Sequence, residues 1–237
     1  MIKLEKTTIH GLEESIRGMR NPKNSWDKSD SYKTFIEDPQ TMETAEFQFF
    51  VGENDLKLMQ TLADAGPVHG KFRRMIAVYV DITAPLYWWK EFDTYKVGTV
   101  ANSCSTMHKI TDKKFEMSDF STEHLVPASY KCLGFTVKTL NDFRDCYISY
   151  DKMKNGDVPV ADEIKPVLDK YSKKDIWWQL IQLLPSSYNQ KRTVMMNYEV
   201  LSNIYHYRKD HKLDEWHEVC NWIENLPHSE LIIGGTK

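Results

Sequence analysis

Between Phe92 and Lys109 the chain reads FDTYKVGTVANSCSTMHK, a run of hydroxyl and amide side chains set directly after the aromatic block APLYWWKE. Two kinds of chemistry suit that run. The side-chain oxygens of Asn102, Ser103 and Ser105 match a helix N-cap, where they accept hydrogen bonds from N–H groups that the first turn leaves unpaired. The same groups, together with Lys96, can also hold an anion or the polar edge of a heterocycle, and a helix N-terminus is itself an anion site. The two readings are compatible, and residue types alone leave both open.

A second candidate group lies in NQKRTVMMNYEVLSNIYHYRKDH, which the apolar spacing predicts as one long helix over 189–209. Asn197, Val200, Leu201 and Ile204 follow the i, i+3, i+4, i+7 pattern of a single helix face. Asn197 therefore shares the apolar stripe, and Asn203 and Arg208 flank it. An amide facing a core is costly unless it is hydrogen-bonded. It is either satisfied within the core or it recognises a ring edge, with Arg208 on a phosphate or carbonyl. Lys71, Arg73 and Arg74 read as a solvated basic cluster, His69 as an isolated structural histidine, and the pairs Trp88-Trp89 and Trp177-Trp178 as core. No Ser/His/Asp order, metal-ligand spacing, P-loop or G-x-G-x-x-G occurs, so no catalytic residue is assigned and no metal is expected.

These residues must be carried by a chain of 237 residues, 41% hydrophobic, which has material for a sizeable core and reads as a single domain over 1–237. The 31 Lys and Arg against 34 Asp and Glu give a net charge of −3, which argues against a general binder of nucleic-acid polymers. Cys104, Cys132, Cys146 and Cys220 lie far apart with no C-x-x-C pair, pointing to free thiols in a reducing compartment. The charged N-terminus lacks the apolar core of a signal peptide, and no apolar run approaches the ~18 residues that span a bilayer. The expectation is a cytoplasmic protein with no membrane contact. Along the chain the patterns predict a strand near 2–9, a short helix ending at Asn21-Pro22, and a polar loop over 23–43. An amphipathic helix over 53–66 and a strand over 75–83 follow, then an irregular stretch to about Lys131. Helices are predicted over 136–153 and between 160 and 185, then the long helix and a shorter one in LDEWHEVCNWIENLP. Strands early and helices late make the class α+β.

Two segments resemble one family. VDITAPLYWWKEFDTYKVGTVANSCSTMHK is similar to the strand, helix and loop of the flavin-dependent thymidylate synthases, which carry KAP before a helix and then R-H-R-x-x-S-x-N-E-x-S-x-R. LLPSSYNQKRTVMMNYEVLSNIYHYRKDHKLDEWHE resembles the family's segment that begins with LP and runs through an Asn, an Asn six residues on, an Arg five further and a Trp, here Asn197, Asn203, Arg208 and Trp216. SIRGMRNP is a weaker match to the family's VRAAR. The signature is heavily altered. Its R-H-R falls on Thr94, Tyr95 and Lys96 and its first Ser on Thr99. With one extra residue allowed, its Asn and second Ser fall on Asn102 and Ser105. Its Glu becomes Ser103 and its last Arg becomes Met107. The Arg expected just before LP is missing, with Gln182 the nearest polar residue. The Arg expected two residues after the first helix Asn is Glu199.

The resemblance implies a fold with a small antiparallel sheet and long helices, assembled as a homotetramer whose sites are shared between subunits. It implies FAD, with NADPH as reductant and methylenetetrahydrofolate as one-carbon donor, and methylation of C5 of dUMP or a related pyrimidine nucleotide. Carried over residue by residue, Tyr95, Lys96, Thr99, Asn197 and Asn203 would hold the cofactor. Asn102, Ser103, Ser105, Arg208 and Arg74 would hold the substrate. The loop keeps one positive charge where the family has about three, which weakens phosphate binding unless Lys71, Arg73, Arg74 and Arg208 compensate. The alternative is a nucleotide- or flavin-binding protein without turnover on the same fold.

Overall fold

The structure is a computed structural model that describes residues 2–36, 46–159 and 165–234. It is a mixed α+β fold. A four-stranded sheet has the order β1-β4-β6-β5, formed by Lys3–His10 (β1), Ala77–Pro85 (β4), Asn189–Asn197 (β6) and Val100–Ser103 (β5). Tyr32–Ile36 (β2) and Glu46–Phe50 (β3) pair as a separate antiparallel hairpin, in which Tyr32 lies opposite Phe50 and Phe35 opposite Phe47. Part of the segment expected as polar loop over 23–43 is thus strand. Residues 37–43 of that segment lie outside the described residues.

The chain divides into two compact units. The first contains Met1–Lys3, Thr83–Phe92 and Ser103–Arg192. Its core lies between Pro127–Lys154 (α5) and Lys173–Leu183 (α7), where Leu133, Val137 and Leu140 meet Leu180, Phe115 and Phe120. α7 begins with a reciprocal cap: the Ser172 hydroxyl accepts from the Asp175 N–H and the Asp175 carboxylate accepts from the Ser172 N–H. In Leu86–Phe92 (α3) the rings of Trp88, Trp89 and Phe92 are buried against one another, and the Trp89 indole donates to the Gln190 carbonyl at 3.0 Å. The Trp88-Trp89 pair is core as expected. Of the other pair, Trp177 is half-buried and Trp178 exposed.

The second unit contains Leu4–Ile82, Asp93–Asn102 and Thr193–Lys237. Along β4, Val78, Val80 and Ile82 are buried while Tyr79 is exposed, the period-two pattern of a strand with one face covered. β6 behaves likewise: Val194 and Met196 are buried and Thr193 is exposed. The long helix expected over 189–209 is therefore corrected. Residues 189–197 form β6, and the helix is Tyr198–Arg208 (α8). Helical spacing is real from Asn197 onward. Upstream of it, alternation of Thr193, Val194, Met195 and Met196 and pairing within the sheet decide the conformation, because tertiary pairing overrides weak local propensity. Asp214–Glu224 (α9) follows, with Trp216, Val219 and Ile223 buried.

Leu12–Arg20 (α1) and Glu53–Asp64 (α2) are joined by a polar hub in this second unit. Asp55 is fully buried and accepts from Arg20 Nε at 2.6 Å, from the hydroxyls of Ser29 and Ser31 at 2.6 Å each, and from the backbone N–H groups of Asp30 and Ser31. One carboxylate thus orders the turn-rich segment between the two helices. Burial opposes the charge on Asp55, but the bonds from Ser29, Ser31 and Arg20 outweigh it and hold the carboxyl below the ordinary aspartate range. A group with a lowered folded-state pKa stabilises the fold above its unfolded-state value, about 4, and that contribution disappears as pH falls through the folded value. Asp55→Ala, which leaves Arg20 buried without its partner, is expected to cost about 3–5 kcal/mol in urea denaturation. The stability gap between the parent and Asp55→Asn should narrow steadily as pH is lowered below about 4.

Candidate functional site

Of the candidate residues in the second unit, Tyr95, Asn197 and Arg208 meet at residues 93–99. α3 ends at Phe92, and residues 93–99 lead to β5 without regular structure. Gly98 has φ 75°, a left-handed conformation that strains any residue with a Cβ. A Cβ there would also lie 3.0 Å from Asn197 Nδ2 and 3.1 Å from Val200 Cγ2. The backbone therefore passes directly over the first turn of α8. Asn197 does not sit on the apolar stripe. It is the N-cap of α8, and its Oδ1 accepts from the Val200 N–H at 3.0 Å. Asn203, the other amide of the pair, is exposed on α8.

Tyr95 and Arg208 do meet. Arg208 Nε donates to the Tyr95 hydroxyl at 2.9 Å. The guanidinium carbon lies 4.8 Å from the centre of the buried Trp216 ring and 5.5 Å from that of Tyr95. The two rings stand edge to face, 6.0 Å apart. An arginine between two aromatic faces gains cation–π attraction that a lysine reproduces poorly. Beside this cluster Lys96 is exposed, and the Thr99 hydroxyl is buried with no hydrogen-bond partner. A buried hydroxyl left unpaired is uncommon and costs stability, so it marks a position where a ligand group or water completes the structure.

The cations expected to replace the lost signature charges are engaged elsewhere in the same unit. Arg74 forms a two-pronged ion pair with Glu199. Arg73 is buried rather than solvated. It donates to the Ser202 hydroxyl and the Leu231 carbonyl, both at 3.3 Å, and burial pushes its pKa down. Lys71 and His69 are exposed.

The rest of the substrate set lies on β5 and just beyond. Asn102, the last residue of the second unit's segment, is exposed in the strand, so it caps no helix. In the first unit Ser103 is exposed, and Ser105 caps the short helix Thr106–Lys109 (α4) by accepting from the His108 N–H at 3.2 Å. The cap reading thus holds for Ser105 alone. This segment is clamped by residues that sequence reasoning missed. Gln190 Nε2 donates to the Cys104 carbonyl at 3.0 Å and to the Thr106 hydroxyl at 3.1 Å. Gln190 in turn accepts from Arg192 Nε at 3.0 Å, and Arg192 stacks 4.1 Å over Trp89. Assigning 189–197 to a helix hid this pair. The alternation of Gln190 and Arg192 on one strand face was the available signal. Among the described residues no cluster of His, Cys, Asp and Glu could hold a metal, and no helix is long and apolar enough to cross a membrane.

The fold and these elements define a class: the chain has the fold of the flavin-dependent thymidylate synthases. Its structure is similar over its length to thymidylate synthase X (ThyX) from Helicobacter pylori solved with FAD and dUMP, with a TM-score of 0.62, 13% identity and 98% of each chain covered. A second structure of the Helicobacter pylori enzyme with FAD and dUMP gives a TM-score of 0.59 at 14% identity, covering 100% of this chain and 99% of that one. The UMP/dUMP methylase PolB from Streptomyces cacaoi, bound with 5-Br dUMP, gives 0.52 at 10% identity, covering 99% and 95%. No family model matches the chain, and no curated protein matches it in sequence.

On this loop the Thr99 hydroxyl and the exposed Lys96 ammonium are hydrogen-bond donors, and a pyrophosphate would meet the charge of Lys96 alone. The unpaired state of Thr99 has a direct consequence. Thr99→Val should leave the melting temperature of the ligand-free protein unchanged or raise it, by up to about 1 kcal/mol of stability, because no protein hydrogen bond is lost. The same variant should weaken any ligand held by the loop, as measured by thermal shift with and without FAD or dUMP.

Proposed function

We propose that the chain is an enzyme of the flavin-dependent thymidylate synthase type that methylates, or otherwise modifies, C5 of dUMP or a related pyrimidine nucleotide. The observation that carries this reading is the fold match over nearly the whole chain to two proteins that share one ligand class. ThyX was solved with dUMP, and PolB, a UMP/dUMP methylase, with a brominated dUMP. The common element is a pyrimidine mononucleotide.

When bound, a reduced flavin supplies the reducing equivalents for one-carbon transfer, with a folate as carbon donor and NADPH as reductant. The chain's own residues then have the tasks of binding, orientation and water exclusion, and no protein nucleophile is required. In this reading Lys96 provides the charge and Thr99 the hydroxyl on the cofactor side of the loop, supported by Tyr95, Asn197 and Asn203. Asn102, Ser103 and Ser105 donate to the nucleotide. Arg208, braced by Tyr95 and Trp216, presents a planar group suited to a carbonyl or phosphate edge. Arg74 serves only if Glu199 releases it. The two compact units act together as one domain, and the protein works as a homotetramer in the cytoplasm.

A second reading, a nucleotide-binding protein without turnover, is favoured by one observation. The loop has lost its signature arginines, and Arg74 is already paired with Glu199. The two readings separate on purified protein. The enzyme should be yellow with visible flavin absorbance and should consume dUMP with methylenetetrahydrofolate and NADPH. Colourless protein stabilised by dUMP alone would leave the second reading. In both, Lys96→Ala should lower the affinity for the loop's ligand about ten- to a hundredfold in calorimetric titration, the size of a lost charge-assisted hydrogen bond. Unchanged affinity for both FAD and dUMP would remove Lys96 from the site.

A further inference from the structure

The second unit holds a small cleft of about 190 Å³ between α1, the segment that follows it and β3. It shares no lining residue with the loop at 93–102. Arg17 and Arg20 reach it from the last turn of α1. Arg20 is only 5% exposed, and part of its guanidinium is already used: Nε donates to Asp55 at 2.6 Å and Nη1 to the Ser25 carbonyl at 3.1 Å. Its Nη2 makes no hydrogen bond among the described residues. Nearly all buried polar groups are paired, so a buried guanidinium with spare N–H donors at a cleft calls for an acceptor. Arg17 is exposed and has no hydrogen bond or ion pair among the described residues.

The charges around the cleft leave one cation uncompensated. Arg20 is balanced by Asp55, and Glu13, which also lines the cleft, is paired with Lys33. Arg20 borders a second cleft as well, where Asp27 and Lys28 cancel. Asp30, on that side, accepts from the Asn54 and Asp55 N–H groups at 2.9 and 3.1 Å, where the positive end of α2 offsets its charge. Arg17 therefore stands as the unmatched charge, and a single negative charge matches it.

The neutral donors of the wall are spent. The hydroxyls of Ser29 and Ser31 donate to Asp55, and the Trp26 indole N–H donates to Asn21 at 2.8 Å. What the cleft offers a ligand is guanidinium N–H groups beside hydrocarbon, from the buried Ile16 and the rings of Trp26 and Phe49. A carboxylate lies flat against guanidinium N–H groups and brings one charge. A phosphate brings up to two charges and no apolar surface. The volume is below the roughly 300–1,000 Å³ of drug-sized sites, which limits the occupant to a single ring or a short chain.

We propose that this cleft binds a small monocarboxylate with an apolar body. Arg17 and Arg20 Nη2 donate to its oxygens, and Ile16, Trp26 and Phe49 pack on its ring or chain. The proposal rests on the cleft alone and stands apart from the reading of the loop.

Ligand-observed NMR titration of the full chain with phenylacetate tests it, beside phenylacetamide, acetate and inorganic phosphate. Phenylacetate should bind with a Kd of about 1 mM or below. The other three should bind at least about tenfold more weakly, because they lack the charge, the ring and both the ring and the single charge, respectively. Arg17→Gln should weaken phenylacetate binding about tenfold at an unchanged melting temperature, because the exposed Arg17 has no partner to lose. Glu13→Gln should tighten binding, since it removes a carboxylate from the wall and releases Lys33. The proposal is overturned if phenylacetate does not bind, if phenylacetamide or phosphate binds as well as it does, or if Arg17→Gln binds as the parent does. It is equally overturned if Arg17→Gln melts well below the parent, because the guanidinium would then be engaged in the fold.

Discussion

The loop and the helix that carry the candidate residues depend on one side chain, Asn197. At this residue the chain leaves β6 and enters α8, and its amide does two things. The oxygen caps the helix by accepting from Val200, while the nitrogen lies 3.0 Å from where a Cβ on Gly98 would stand. The strand end, the helix start and the path of residues 93–99 are thereby fixed together. With the loop held on α8, the Tyr95 hydroxyl meets Arg208 and the guanidinium settles against Trp216. No long-range electrostatic guidance is needed for this geometry. It follows from a cap, a left-handed glycine and aromatic packing.

That geometry holds the loop with few charged contacts. The interior of the second unit is apolar where the strands meet it, with Val78, Val80, Ile82, Val194 and Met196 buried. Its polar order comes from Asp55 and its five donors, not from the loop. Neutral donors hold phosphates less strongly than cations do. Glu199 pairs with Arg74, so that cation is already engaged within the second unit.

Much of the fold was legible from periodicity. β4, α2 and α9 each carry an unambiguous pattern, and their positions agree with the expectations. The strand β6 was not legible as such, because Asn197, Val200, Leu201 and Ile204 carry a true helical period that invites extension upstream. Only pairing within the sheet, invisible in one sequence, decides that Thr193–Met196 alternate. The same error concealed Gln190 and Arg192, which clamp the segment at 104–106. Arg73 read as solvated because three basic residues within four positions usually are. Its burial depends on Ser202 and Leu231, more than a hundred residues away in sequence. The spacing of Asn197 and Arg208 was readable, but their roles as cap and stacked cation required the loop to be in place.

The central proposal, that the loop at 93–102 and α8 receive a pyrimidine mononucleotide, is tested most directly by photo-cross-linking with 5-bromo-dUMP followed by peptide mapping. The account predicts a saturable adduct, displaced by unlabelled dUMP, within residues 93–102 or 197–208. An adduct confined to other segments, or none at saturating nucleotide, would contradict it.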